Sequence, residues 1–206
     1  MSDDTHEHPH ASDDMEPRGH YQYLADAVRE LLIEKGIFSA DDMRRAIEAM
    51  DVRTPAQGAR VVAHAWVDPA YKARLLANGT SAVEELGVEM STTKLVVVEN
   101  TPKVHNVIVC TLCSCYPRML LGVPPAWYKS RNYRSRVVRE PRTVLAEFGT
   151  VIPDDVDVHV HDSTAEMRYL VLPMRPDGGE DLSEEELATL VTRDTMVGVA
   201  QVPPPK

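Results

Sequence analysis

The chain has 206 residues, of which 43% are hydrophobic and 26% charged, a composition typical of an ordinary globular domain. Its formal net charge of −10 argues against a nucleic-acid partner, because phosphate binding needs a clustered basic surface. No apolar run approaches the roughly 20 residues of a membrane span, and the N-terminus lacks the pattern of a secretory signal. We therefore expect a cytoplasmic protein that binds neither nucleic acid nor membrane.

The N-terminal part of the chain divides into a polar tail and a helical region. Residues 1–18 combine acidic residues and histidines with almost no apolar side chains, which predicts a disordered tail. Residues 19–90 carry apolar side chains at helical spacing. Within them Asp68-Pro69 is a typical helix start, and Thr80 or Ser81 is the expected cap of a later, short helix. Because these helices are short and serial, we interpret residues 19–90 as an arm that packs on a partner as well as on its own domain.

The pattern changes near residue 91 to short β-branched runs. Strands are predicted over 95–98, 107–109, 156–160 and 167–172, and the third of these alternates valines with polar residues. Short helices fill the intervals between them. The predicted fold class is α+β, with the helical arm followed by an α+β domain over residues 91–206.

The second predicted strand leads directly into Cys-x-x-Cys-x-Cys, which contains every cysteine of the chain: Cys110, Cys113 and Cys115. A metal here could take three sulfurs and the main-chain nitrogens of Ser114 and Cys115, which leaves one position open. Structural zinc needs four ligands, so His105 would have to be the fourth. An iron–sulfur cluster normally needs four cysteines, and a redox Cys-x-x-Cys would leave one cysteine over. The spacing therefore favours a metal site and leaves zinc open.

The cysteine segment and its surroundings resemble a known family. Residues 109–117, Val-Cys-Thr-Leu-Cys-Ser-Cys-Tyr-Pro, are similar to the metal-binding signature of nitrile hydratase α subunits of the cobalt type. Further similar blocks lie at 121–130, 133–142 and 166–169, and the resemblance covers roughly residues 20–200. It implies that the C-terminal domain is a layered α-β-β-α fold and that it binds the metal.

The resemblance also implies the chemistry of the site. Cys110 would be an axial thiolate, and Cys113 and Cys115 equatorial ligands oxidised to sulfinate and sulfenate. Ser114 and Cys115 would add deprotonated amide nitrogens. The metal would be one low-spin Co³⁺ per chain, since Thr111 stands where iron-type members usually carry serine, so iron is less expected. The reaction would be hydration of a nitrile to the corresponding amide by Lewis-acid activation.

Partners and supporting residues follow from the same resemblance. A β subunit, present as one chain or split into two, would supply arginines to the site, and a metallochaperone is a further partner that the resemblance allows. Asp162, Glu166 and Arg168 match positions that support the metal ligands. Arg118 and Trp127 are candidates for the wall of the substrate pocket. Because the connector 87–94 is short, we expect no substrate-binding residues there.

Three alternatives remain at this point. Arg118 replaces a tryptophan found in many simple nitrile hydratases and, with the His-rich N-terminus, resembles the metal-binding subunit of thiocyanate hydrolase, which produces carbonyl sulfide and ammonia. Members with split β subunits that act on larger nitriles, such as toyocamycin, are an option within the family. A zinc-bound interaction module, docking through the helical arm, is the non-enzymatic alternative.

Overall fold

The computed structural model describes residues 19–90 and 92–205, and the predicted tail, residues 1–18, lies outside them. Within the described residues the chain forms eleven helices: α1 (His20–Glu34), α2 (Ala40–Asp51), α3 (Ala56–Val67), α4 (Pro69–Ala77), α5 (Gly79–Glu85), α6 (Arg118–Leu121), α7 (Ala126–Lys129), α8 (Arg131–Arg136), α9 (Pro141–Glu147), α10 (Glu184–Leu190) and α11 (Arg193–Val197). The same residues form four strands: β1 (Lys94–Glu99), β2 (Val104–Val109), β3 (Asp157–Asp162) and β4 (Met167–Leu172). The four predicted strands are therefore confirmed.

The strands form two parallel pairs. β1 pairs with β4, so that Leu95 lies beside Arg168, and β2 pairs with β3, so that Val109 lies beside Asp162. Paired parallel strands that start in register also end at the same edge. β2 therefore delivers Cys110 to the point where β3 delivers Asp162.

Helices pack against the strands. α4 and α5 contact β1, and α3 lies against α4, α6, α10 and α11. α9 contacts β3, while α11 contacts both β2 and β4. The two strand pairs contact each other through β1–β2 and β2–β4. The predicted α+β class and its α-β-β-α layering are confirmed.

The core between these layers fixes the strand that carries the first cysteine. Val107 to Val109 of β2 are 0% exposed, as are Leu170 and Val171 of β4. Burial of a side chain of this size stabilises a fold by about 1.5–3 kcal/mol. Because consecutive strand residues face opposite sides, this run is buried on both faces of β2, and packing on both faces sets the position of Cys110.

Capping side chains set the helix starts. Asp68 caps α4 as predicted. The predicted cap of α5 is wrong, since the side chain of Asn78 accepts the N–H of Ser81 at 3.3 Å and the helix begins directly after it. The hydroxyl of Thr80 instead accepts the N–H of Leu95 at 2.8 Å, which ties α5 to β1. Asparagine is among the best capping residues, and Thr80 is engaged elsewhere.

The helices of residues 19–90 differ in their burial. α1 and α2 contain no buried residues, and Tyr21 and Val52 are 83% and 74% exposed. α3, α4 and α5 contribute buried side chains to the core, among them Val62 and Leu75 at 0% exposure. The division into an arm and a domain stays a prediction. Among the described residues, no helix is both long and apolar enough to cross a membrane.

Candidate metal centre

The three cysteine sulfurs lie together at the end of β2. The Sγ atom of Cys113 is 3.4 Å from that of Cys110 and 3.3 Å from that of Cys115, and all three lie within 4.8 Å of one another. The backbone N–H of Cys113 donates to the Cys110 sulfur at 3.3 Å. The main-chain amides of Ser114 and Cys115 help to lower the pKa of the Cys113 thiol. The segment therefore places two main-chain nitrogens among its sulfurs.

The sulfur separations indicate the kind of ion that would fit. With metal–sulfur bonds of about 2.3 Å, two sulfurs at a right angle lie about 3.3 Å apart, and at the tetrahedral angle about 3.8 Å apart. The observed 3.4 and 3.3 Å correspond to right angles. Adjacent ligands at right angles are found in octahedral and square-planar sites, whereas structural zinc is tetrahedral. The sulfur spacing therefore fits an octahedral or square-planar metal better than tetrahedral zinc.

The thiols differ in acidity. Hydrogen bonds from Cys115 and Cys110, with those of the two backbone amides, lower the pKa of Cys113 to about 7. Burial, together with its hydrogen bond to Cys113, raises the pKa of Cys115 to about 12, although the positive charge of Arg168 opposes this rise. Because a metal ion binds thiolates, binding to this cluster releases protons.

Two side chains from outside the segment hold its backbone. The carboxylate of Asp162 accepts the N–H of Thr111 at 2.9 Å and its hydroxyl at 2.5 Å. The hydroxyl of Tyr128 donates to the carbonyl oxygen of Cys115 at 2.9 Å. Burial raises the pKa of Tyr128 far above its ordinary value, so the phenol stays a neutral donor. Asp162 was among the predicted residues, and Tyr128 was not.

The other predicted charged residues are Glu166, on the loop between β3 and β4, and Arg168, near the start of β4. The guanidinium of Arg168 donates to the carbonyls of Thr164, Ala165 and Met167, and its charge acts on Cys115. Glu166 is exposed, and its carboxylate accepts the hydroxyl of Thr164 at 3.2 Å. The structure therefore brings Arg168 to the cysteine cluster, while Glu166 contacts the loop.

A cleft of about 350 Å³ opens beside the cysteines. Its walls include Arg118, a candidate for the substrate pocket, together with Arg53, Arg168 and other residues of both chain halves: Met90, Thr92, Thr93, Cys113, Ser114, Cys115, Tyr116, Pro117 and Met119. The connector before β1 contributes three of these residues, because β1 begins at the edge where β2 ends. Whether they bind substrate stays a prediction. No sequence pattern predicted that Arg53, just after α2, lines this cleft. Such a set is assembled only by the tertiary fold.

Trp127 lies outside the lining of this cleft. It is partly buried and packs edge-on against Tyr128, Tyr133 and Phe148, with ring centroids 5.9, 5.0 and 4.8 Å away. Its indole therefore belongs to an aromatic cluster, of which Tyr128 contacts the cysteine segment. A direct role in substrate binding stays a prediction.

His105 lies away from the cysteines. It is buried, with Nε2 2.7 Å from the carbonyl oxygen of Gly198 and Nδ1 3.4 Å from the side-chain amide of Asn100. Burial lowers the pKa of His105. Within the described residues, the only group of three or more His, Cys, Asp or Glu side chains placed to share a metal is the cysteine triad itself. A zinc site with His105 as fourth ligand is therefore not formed.

Comparison with known proteins agrees with this geometry. The family model "Nitrile hydratase, alpha chain" matches residues 20–200. The chain is 52% identical over 177 residues to the low-molecular weight cobalt-containing nitrile hydratase subunit alpha of Rhodococcus rhodochrous, covering 84% of this chain and 85% of that one. It is 46% identical over 197 residues to the thiocyanate hydrolase subunit gamma of Thiobacillus thioparus, covering 90% and 81%.

Solved structures show the same likeness. A double mutant of the Fe-type nitrile hydratase from Comamonas testosteroni Ni1 superposes with a TM-score of 0.84 at 43% identity, covering 90% of this chain and 95% of that one. The sequence match and the fold likeness both extend over nearly the whole described chain, and the cysteine triad lies within the matched region. The chain belongs to the nitrile hydratase α-chain family and is a subunit of an enzyme.

Proposed function

We propose that this chain binds one low-spin Co³⁺ ion through Cys110, Cys113, Cys115 and the amide nitrogens of Ser114 and Cys115, and that it hydrates nitriles to amides. The observation that carries the proposal is the sulfur triad, with sulfurs 3.4 and 3.3 Å apart and two main-chain amides that help to lower the pKa of Cys113. Cobalt is preferred to iron because Thr111 stands beside Cys110 and cobalt-containing relatives are 52% identical. An Fe-type relative makes iron the alternative to test.

The bound ion would supply Lewis acidity toward the nitrile, which adds one water molecule and becomes the amide. Residues of this chain hold the cysteine segment in place. Asp162 fixes the Thr111 end of the segment by two hydrogen bonds. Arg168 places positive charge beside Cys115 and so favours an anionic sulfur or an oxidised, anionic form of it. Oxidation of Cys113 to sulfinate and Cys115 to sulfenate is part of the proposal.

The cleft suits a small substrate. Its volume of about 350 Å³ lies at the lower end of ligand-binding pockets. Met90 and Met119 supply apolar wall for a hydrocarbon group, while the hydroxyls of Thr92 and Thr93 supply polar wall. Because the cleft is open in this chain, water reaches Cys113, which is exposed.

A β subunit is proposed to cover this opening and to add arginines to the site, as one chain or as two. Apolar side chains stand exposed beside the metal segment, with Leu112 89% and Val123 57% exposed. The apolar faces of α1 and α2 are exposed as well, with Ile37 between them at 68%. Exposed apolar patches of this kind mark protein interaction sites. A metallochaperone and the cytoplasmic location stay predictions.

The test is activity of the chain co-produced with its partner subunit in medium containing cobalt. We expect conversion of small nitriles to amides, and loss of both activity and cobalt in Cys115→Ser. An active, cobalt-free enzyme, or full activity in Cys115→Ser, would contradict the proposal. Growth in iron instead of cobalt, with metal analysis of the product, separates the two metals.

Hydrolysis of thiocyanate is a second candidate, and one observation favours it. Three arginines, Arg53, Arg118 and Arg168, line the cleft of a chain whose formal net charge is −10. Concentrated positive charge attracts an anionic substrate, whereas a neutral nitrile carries no net charge for it to attract. Thiocyanate and a panel of nitriles given to the same preparation decide between the two. Release of carbonyl sulfide and ammonia, without amide from any nitrile, would select the second candidate.

A further inference from the structure

A buried hydroxyl holds the far end of the cysteine segment. Tyr128 donates to the carbonyl oxygen of Cys115 at 2.9 Å, and Asp162 binds Thr111 at the near end. The part of the segment that they enclose contains Cys113, Ser114 and Cys115, which supply two of the three sulfurs and both amide nitrogens in the proposed function. Fixing both ends of a five-residue segment restricts the paths that its backbone can take.

The position of this hydroxyl is itself set by packing. Tyr128 is 0% exposed, and its ring meets Tyr116 edge-on at 4.9 Å and Trp127 at 5.9 Å between centroids. Its helix, α7, starts after Pro125, whose ring fixes one backbone angle at the turn. The hydroxyl therefore cannot follow the segment if the carbonyl of Cys115 moves away.

We propose that Tyr128 is a positioning residue that presets the Cys115 end of the cysteine segment for the metal. The proposal rests on the proposed function, because it assumes that the segment binds cobalt. Groups that orient metal ligands typically change metal affinity by about 10- to 100-fold when they are removed. Tyr128 acts through the backbone of Cys115, and its hydroxyl does not touch the sulfurs in the contacts described above.

The chain offers two matched controls. Tyr133 is 4% exposed, and its hydroxyl donates at 2.7 Å to the carbonyl of Ile108, a residue already held in the β2–β3 ladder. Tyr133→Phe therefore deletes an equivalent buried hydrogen bond at a backbone that other bonds keep in place. Tyr116 follows Cys115 directly, and its hydroxyl is buried with no hydrogen-bond partner among the described residues. Tyr116→Phe therefore controls for proximity alone.

The experiment measures Co²⁺ binding to the metal-free, reduced full chain by competition with a chelator, in the wild type and the three Phe variants. Thermal unfolding without metal and the thiolate-to-cobalt absorption band are recorded on the same samples. We expect Tyr128→Phe to lose about 10- to 100-fold in Co²⁺ affinity and to shift the absorption band. Tyr133→Phe should be destabilised to a similar degree, with affinity and band close to wild type, and Tyr116→Phe should match the wild type in both.

The outcomes separate this proposal from the one on which it rests. If the wild type binds no Co²⁺, the proposed function and the role of Tyr128 both fail. If the wild type binds and Tyr128→Phe keeps its affinity and band, only the positioning role is overturned. If Tyr133→Phe loses as much affinity as Tyr128→Phe, the effect comes from general destabilisation, and the positioning role is again overturned.

Discussion

Gly198 lies where α11 approaches β2, and its replacement by alanine tests how firmly the strand carrying Cys110 is held. The backbone φ angle of Gly198 is +91°, a left-handed conformation that costs an alanine roughly 1–2 kcal/mol. A Cβ atom there would lie 2.0 Å from the carbonyl oxygen of Asn106 and 2.9 Å from the Cα of Val107. Both are backbone atoms of β2, so the strand or α11 must shift.

The magnitude follows from these contacts. Overpacking that shifts backbone costs about 1–3 kcal/mol. The shift also weakens the bond from His105 to the Gly198 carbonyl, now 2.7 Å long, which contributes on the order of 1 kcal/mol. With the conformational cost, Gly198→Ala should lose about 3–6 kcal/mol of unfolding free energy. For a protein of this size, each kcal/mol lowers the melting temperature by about 2–4 °C.

Gly149 provides the matched control. Its φ angle is +83°, and a Cβ atom there would meet nothing within 4 Å. Gly149→Ala should therefore lose only the conformational cost of about 1–2 kcal/mol. Urea denaturation of the wild type and both variants measures the difference. Equal losses in the two variants would refute the argument that close packing of α11 on β2 holds the strand.

Three further predictions concern the site and its support. Asp162→Ala should weaken Co²⁺ binding by about 10- to 100-fold in chelator competition, because Thr111 loses both bonds, and unchanged affinity would contradict this. Burial lowers the pKa of His105 below its ordinary 6.5, so its contribution to stability is complete above pH 6.5 and is lost as pH falls through the lowered value. Urea titrations at several pH values should show this loss of unfolding free energy in the wild type and a flatter dependence on pH in His105→Gln. Parallel pH dependences of the two proteins would contradict the prediction. If thiocyanate is the substrate, Arg118→Gln should lower kcat/KM for thiocyanate by on the order of fivefold at low salt and by less at high salt, and an equal loss at both salt concentrations would contradict this.

Local sequence patterns predicted the strands and the metal segment because both are properties of neighbouring residues. The alternation of Val156, Val158 and Val160 with polar residues identifies β3, and the three cysteines lie within six residues. In contrast, α6 and α11 span only four and five residues, too few for a helical period to be visible. Neither helix was predicted.

The surroundings of the cysteines depend on contacts that are distant in sequence. Asp162 reaches Thr111 through the parallel pairing of β2 with β3 across 51 positions, which no local pattern encodes. Asp162 was recognised only through family resemblance. Arg53 reaches the cleft from the end of α2, and the hydroxyl of Tyr128 reaches Cys115 by way of a four-residue helix. Tyrosine hydroxyls give no periodic signal, so their role emerges only from the packed structure.

The central claim is that the segment from Cys110 to Cys115 holds a cobalt ion between oxidised cysteines. Elemental analysis and peptide mass spectrometry of the chain, purified with its partner from cobalt-containing medium, test it most directly. The account predicts about one cobalt per chain and added oxygen on the peptide that carries Cys113 and Cys115. Zinc bound to three unmodified thiols, with no cobalt taken up on reconstitution, would contradict it.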